Sequence, residues 1–178
     1  SGTLELFGSE AITRATLNLA AGSTVKYTGN GNALANTYTI TANPPNLGAT
    51  YSNLTIASTD GATDIFELGA ALTVNGNLTV SAGTFSVGVG NQAITIGGSY
   101  ANSGIFTAGT GTVTFTAASG SYTLSGTLNG GSAFNKLIFG PTTASTAAWT
   151  IQDPMLVSAA NATDTLVIFM GVEKLAQL

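Results

Sequence analysis

Short alternating runs separated by Gly, Asn and Ser constrain this chain more than any other feature. From Leu72 to Thr116 it reads LTVNGNLTVSAGTFSVGVGNQAITIGGSYANSGIFTAGTGTVTFT. The runs are Leu72-Thr73-Val74, Leu78-Thr79-Val80, Phe85-Ser86-Val87, Ile94-Thr95-Ile96 and Val113-Thr114-Phe115. Alternation at period two puts the apolar residues on one face of a strand and the Thr or Ser on the other. The Asn-Gly and Gly-Gly steps between runs supply the positive φ angles that sharp corners need. Many short strands with a small polar corner after each describe a chain that coils.

Composition narrows the function classes. Of 178 residues, 44% are hydrophobic and 7% charged, against about 25% charged in an ordinary globular chain. Thr, Ser, Asn and Gly take the place of the missing charge, and the β-branched content argues against disorder. The four basic residues, Arg14, Lys26, Lys136 and Lys174, are scattered. Nucleic acid needs a clustered basic patch, so no nucleic-acid partner is expected, and an anionic membrane surface is disfavoured for the same reason. No apolar run reaches about 18 residues, so no membrane insertion is expected. With no Cys and no His, catalytic thiols, Ser-His triads and His-ligated metal sites are excluded. A start at Ser1-Gly2-Thr3 reads as a mature chain or a piece of a longer one. Asn-x-Thr triplets at Asn53, Asn77 and Asn161 are expected by chance at this Asn and Thr content.

Two stretches resemble each other. Tyr51-Ser-Asn-Leu54-Thr-Ile56 matches Phe134-Asn-Lys-Leu137-Ile-Phe139 at an offset of 83, which also pairs Phe66 with Trp149, Leu68 with Ile151, Leu72 with Met155 and Val74 with Val157. Upstream, Ser23 to Thr28 matches Gly111 to Thr116 at an offset of 88. The five-residue difference falls between Thr28 and Tyr51, where Asn43-Pro44-Pro45-Asn46 marks a loop. The expected organisation is a single domain over 1–170, with one long repeat over about 23–110 and a second over about 111–170. Residues 171–178 form a tail or cap. Anchors at Leu72, Ile94, Val113, Leu137 and Met155 lie 22, 19, 24 and 18 residues apart, a coil of roughly 20 residues that fits a parallel solenoid.

The fold class expected is therefore all-β, a right-handed parallel β-solenoid (β-helix) of two long repeats. The alternative is an antiparallel β-sandwich fibre subunit with strand exchange, completed by a neighbour's strand such as Thr165 to Met170. Tyr38-Thr39-Ile40 reads as a strand, and Ala11 to Leu19 as a strand or a short helix.

The candidate sites are few. Asp60, Asp64 and Glu67 form the densest acidic group. Paired carboxylates serve glycoside chemistry, yet the aligned copy at Thr143, Ala147 and Thr150 carries no acids. Asp60 and Asp64 with corner carbonyls have the chemistry of calcium ligands, but neither an EF-hand loop nor a nonapeptide Asp repeat is present. The expectation is a solvated corner. The glycines at Gly97-Gly98, Gly109, Gly111 and Gly130-Gly131 lack the following helix and Lys of a phosphate loop and read as corners. Thr73, Thr79, Thr95, Thr112, Thr114, Thr116 and Thr123 stand in outward ranks if coils stack in register, as ice-binding solenoids and ordinary solvated strands both do. The aromatic residues are spread evenly, as inward stacking requires. No catalytic, cofactor-binding or metal residue is assigned, and no cofactor.

The string from Leu72 to Thr116, followed by YTLSG and FNKLIFG, resembles the β-strand repeats of large bacterial surface proteins. It is similar to filamentous-haemagglutinin-type adhesins and autotransporter passenger domains, which fold as right-handed parallel β-helices, and the likeness runs from about Tyr51 to Phe139. The resemblance implies an extracellular or cell-surface location, a structural or adhesive role without catalysis, and no cofactor. The partners it leaves open are further copies, through the terminal strands, and a glycan or surface ligand. The other readings are a ligand-binding solenoid for glycan or ice and, behind it, a polysaccharide-active enzyme.

Overall fold

The computed structural model describes residues 1–10, 19–41, 50–60, 64–140 and 145–158. A leading strand, β1 (Thr3–Leu6), is followed by coils that each run through three short strands. The first full coil is β2 (Thr24–Tyr27), β3 (Thr37–Ile40) and β4 (Thr50–Tyr51). The next is β5 (Asn53–Ala57), β6 (Ile65–Leu68) and β7 (Leu72–Val74), then β8 (Leu78–Ala82), β9 (Thr84–Ser86) and β10 (Ile94–Ile96). A fourth follows with β11 (Tyr100–Asn102), β12 (Ile105–Thr107) and β13 (Thr112–Phe115). In the fifth, a single 3-10 turn at Gly130–Ser132 stands between β14 (Ser121–Gly126) and β15 (Lys136–Phe139), and β16 (Ala148–Ile151) opens the last.

Corresponding strands of successive coils pair into three sheets. The first has the order β1-β2-β5-β8-β11-β14-β16, the second β3-β6-β9-β12, and the third β4-β7-β10-β13-β15. The pairs between these strands are parallel. This is a β-solenoid of about five turns, and parallel pairing of strands a full coil apart sets aside the antiparallel sandwich.

The alternation explains both the coiling and the core. Leu72, Ile94, Val113 and Leu137 are register partners on the third sheet, as their spacing predicts. Met155 departs from that series and bridges Leu128 instead. The reason is positional: residue 155 comes just after β16, a first-sheet strand, so it lies one strand short of the third sheet. The stretches matched at an offset of 83 fall on different sheets: Leu54 is on the first and Leu137 on the third, while Phe66 is on the second and Trp149 on the first. Short alternating runs match one another whichever face they come from. The repeat that the backbone builds is the coil, with Leu54, Leu78, Tyr100 and Leu124 stacked at intervals of 24, 22 and 24 residues.

Inward residues form one continuous core. Tyr38, Phe66, Phe85 and Phe106 stack down the second sheet, with ring centroids 5.2 Å apart for Tyr38–Phe66 and 5.8 Å for Phe85–Phe106. Phe134 continues the row at 5.7 Å from Phe106. Each such pair adds about 0.5–1.5 kcal/mol beyond the area it buries. Where the 3-10 turn replaces a fifth strand of the second sheet, the buried Ser132 Oγ accepts the Phe106 N–H at 3.0 Å and stands in for the missing ladder carbonyl. Residues 11–18, which make up most of the strand-or-helix segment, the Pro-Pro loop and the run from Thr165 to Met170 lie outside the described residues.

The burial pattern makes two predictions. Val113 is inward and buried, and Thr114 is outward. Val113→Asp places an unpaired charge in the core and is expected to cost several kcal/mol, whereas Thr114→Asp stays within about 1 kcal/mol of the parent; urea denaturation of the two variants checks the parity. Burial pushes the hydroxyls of Tyr27, Tyr51 and Tyr100 above the ordinary tyrosine value of 10.0. Unfolded tyrosines therefore lose their protons before folded ones, and stability falls as pH rises past about 10. Denaturant midpoints measured between about pH 8 and pH 11 check the sign.

Candidate functional site

The polar side chains of interest sit at the corners between sheets. The first is the acidic group. Asp64 directly precedes β6 and points inward, where it is completely buried. Its Oδ1 accepts the Asn36 N–H at 3.1 Å and its Oδ2 accepts the Ser58 hydroxyl at 3.1 Å. Glu67, three residues on, points outward and accepts the Thr39 hydroxyl at 3.2 Å. Asp64 and Glu67 thus lie on opposite faces of one strand, because an odd separation changes face. Asp60 lies in the turn after β5, its N–H donating to Ser58 Oγ at 3.1 Å. The expected solvated corner needs correcting in one respect: Asp64 is sealed off from solvent. No group of three or more His, Cys, Asp or Glu among the described residues is placed to hold a metal ion.

Gly29 makes room for this carboxylate. Its φ of +68° is a left-handed conformation, and a Cβ built on it would collide with Asp64 Oδ2. Gly22 has a similar φ of +76°, but there the nearest atom to a Cβ is 3.8 Å away.

A second corner carries a ladder that the sequence reading missed. Just before the first sheet, Asn53 Oδ1 accepts the Asn77 N–H at 2.9 Å, Asn77 Oδ1 accepts the Ser99 N–H at 2.9 Å, and Ser99 Oγ accepts the Thr123 N–H at 3.0 Å. Asn53 Nδ2 donates to the carbonyls of Gly22 and Ser23 at 3.3 and 3.2 Å. The ladder leaves no space for a side chain ahead of its two middle rungs: a Cβ at Gly76 would collide with Asn53 Oδ1, and one at Gly98 would lie 2.5 Å from Asn77 Oδ1. Asn53 and Asn77 are two of the Asn-x-Thr triplets, and both side chains are engaged within the fold. Their signal was present as Asn, Asn and Ser recurring at 24 and 22 residues, one per coil.

The threonines stand outward in two places and not on one plane. Thr50, Thr73, Thr95 and Thr114 form a rank on the third sheet. Thr79 is on the first sheet beside Thr55 and Ala101, and Thr123 is beside Thr150. The glycines at 97, 98, 109 and 111 lie between strands, and Gly130 and Gly131 open the 3-10 turn. The aromatics stack inward as expected, except near the last coil, where Phe139 and Trp149 remain partly open.

No helix among the described residues is long and apolar enough to cross a membrane. Comparison with family models, with curated proteins and with solved structures finds no match to this chain.

Gly29→Ala is expected to lose about 1–2 kcal/mol from the left-handed backbone alone, with a further loss from displacing Asp64. Gly22→Ala carries the backbone term without the collision. Thermal melts of both, side by side, check that Gly29→Ala is the lower.

Proposed function

We propose that this chain is an extracellular structural or adhesive module of a bacterial surface protein or filament, acting without catalysis. Its coils extend by stacking on a second copy. The observation that carries this reading is the condition of the last coil. Phe115 and Leu124 point inward and are fully buried. Their register partners in the next coil, Phe139 and Ile151, also occupy inward positions but are 42% and 46% exposed. An inward residue in a solenoid is covered by the coil above it, so the last described coil presents core that a further coil, of this chain or of a second copy, would bury. Among the described residues β15 and β16 are the outermost strands of their sheets, and an open strand edge recruits a further strand. At the opposite end β1 is the edge of the first sheet, with Phe7 exposed beside it. Two unlike ends of one rod meet head to tail, and a head-to-tail contact that does not close generates a filament. The likeness of the 51–139 stretch to bacterial surface repeats supports the location and the adhesive role.

A second reading rests on the outward rank of Thr50, Thr73, Thr95 and Thr114. Hydroxyls at the spacing of adjacent strands, about 4.8 Å, form a regular polar face suited to ice or a glycan. Thermal hysteresis and a glycan array test that face.

Sedimentation with negative-stain imaging tests the first reading. The parent chain is expected to form concentration-dependent rods, and Ile151→Lys, which puts a charge at the open end, is expected to hold it as a monomer. A parent chain that stays monomeric at every concentration contradicts assembly through the ends.

A further inference from the structure

Three Asn-Gly steps stand in this chain: Asn30-Gly31, Asn75-Gly76 and Asn129-Gly130. Such a pair carries a reaction of its own. The backbone nitrogen of the glycine can attack the side-chain carbonyl carbon of the asparagine, because no glycine side chain stands in the way. The attack needs a nitrogen free of a hydrogen bond, an amide free to turn, and a backbone that can rotate about ψ. The folded chain grants these conditions to one pair of the three.

Asn75-Gly76 is held by main chain. The Asn75 N–H donates to the Tyr51 carbonyl at 2.9 Å, and the Gly76 N–H donates to the Ser52 carbonyl at 2.7 Å. A Cβ at Gly97 would collide with the Asn75 carbonyl, so the peptide that must turn is packed against the next coil. Asn30 is held by its side chain. Its Oδ1 accepts the Asn32 N–H at 3.3 Å and Asn36 Nδ2–H at 3.4 Å, while its own N–H donates to the Tyr38 hydroxyl at 3.1 Å.

Asn129-Gly130 escapes both restraints. Asn129 is exposed, lies in extended backbone (φ −137°, ψ −174°) and makes no side-chain capping bond to the 3-10 turn that follows. Gly130, at φ +55°, donates its N–H to no backbone acceptor among the described residues. A Cβ built on Gly130 or on Gly131 would meet nothing within 4 Å, so the chain after Asn129 has room to move. The bond that rotation at Asn129 breaks is a turn bond, from the Ser132 N–H to the Asn129 carbonyl at 3.0 Å.

We infer that Asn129 is a site of spontaneous deamidation through a succinimide. The Gly130 nitrogen gives its proton to hydroxide and bonds to Asn129 Cγ. The bond from Cγ to Nδ2 breaks, and that nitrogen takes a proton from water and leaves as ammonia. Water then opens the ring. Opening at Cγ gives aspartate; opening at the main-chain carbonyl gives isoaspartate, which routes the backbone through Cβ and Cγ. Nothing is oxidised or reduced, and water is the co-reactant. Either product adds a negative charge at the head of the turn, and isoaspartate also lengthens the chain there. That turn carries Ser132, whose Oγ accepts the Phe106 N–H, and leads into the buried Phe134.

The test incubates the whole folded chain at mildly alkaline pH in water enriched in heavy oxygen, and reads each Asn-Gly peptide by mass spectrometry. Asn129 is expected to take up label and yield isoaspartate roughly tenfold or more faster than Asn75, where local opening must come first. In urea the three pairs are expected to react at like rates, which assigns the difference to the fold. Gly130→Ala puts a methyl group into open space beside the nucleophile and is expected to slow Asn129 while Asn30 and Asn75 keep their parent rates. A folded chain in which Asn30 or Asn75 reacts as fast as Asn129 overturns the proposal. So does an Asn129 that stays intact in the folded chain yet reacts in urea, or a Gly130→Ala variant that reacts at the parent rate.

Discussion

Each coil of this solenoid is buried by its neighbours, and the rest of the structure depends on that stacking. A strand of three or four residues has too little apolar surface to hold itself in place. It gains its place by parallel pairing with the strand one coil earlier and one coil later, and by setting Leu, Ile, Val or Phe directly over the same kind of residue. The rows Leu54-Leu78-Tyr100-Leu124 and Leu72-Ile94-Val113 are the result. Stability in such a stack is a sum of nearest-neighbour terms, so a fault in one coil is felt first by the two that touch it. In the last described coil, Phe139 and Ile151 occupy core positions and are still partly exposed.

The corners solve a different problem. A chain that turns three times in about two dozen residues cannot pair every backbone group in a sheet. Here side chains complete the pairing. Asn53, Asn77 and Ser99 accept backbone N–H groups from the coil above, one rung per coil. Ser132 does the same for Phe106 where a strand is replaced by a turn. Asp64 serves its corner by accepting from Asn36 and Ser58, but it brings a charge into a buried position, and this sets it apart from the neutral rungs elsewhere. The buried polar groups of the described residues gather at the corners, while the sheets carry mostly Thr, Ser and Ala outward.

The sequence disclosed the coil more readily than the corners. Alternation gave the inward and outward sides of β7, β8, β10 and β13 residue by residue, and the spacing of four anchors gave their register on one sheet. It could not say which sheet a given run belongs to, because Leu-Thr-Val and Ile-Thr-Ile look alike on any of the three. That ambiguity is why Met155 took the wrong place in the series and why Leu54 could be matched with Leu137 across faces. The burial of Asp64 was hidden for a related reason. Parity relative to Phe66 placed it inward, but Asp next to Gly, Ala and Thr reads as a surface turn until the opposing Gly29 and Asn36 are seen to enclose it. The polar ladder was written as Asn and Ser at one-coil spacing, a signal of one residue per turn that a Gly- and Asn-rich chain easily conceals.

Backbone NMR of the isolated chain tests the stacked-coil register most directly. Each pairing distinguishes the solenoid from any fold in which chain-neighbouring strands form hairpins. Short cross-strand contacts are expected from Ile94–Ile96 to Leu72–Val74 on one side and to Val113–Phe115 on the other, in the parallel pattern. Close pairs of α-hydrogens between strands adjacent in the chain, such as β7 with β8, arise in antiparallel sheets, and finding them would contradict the account.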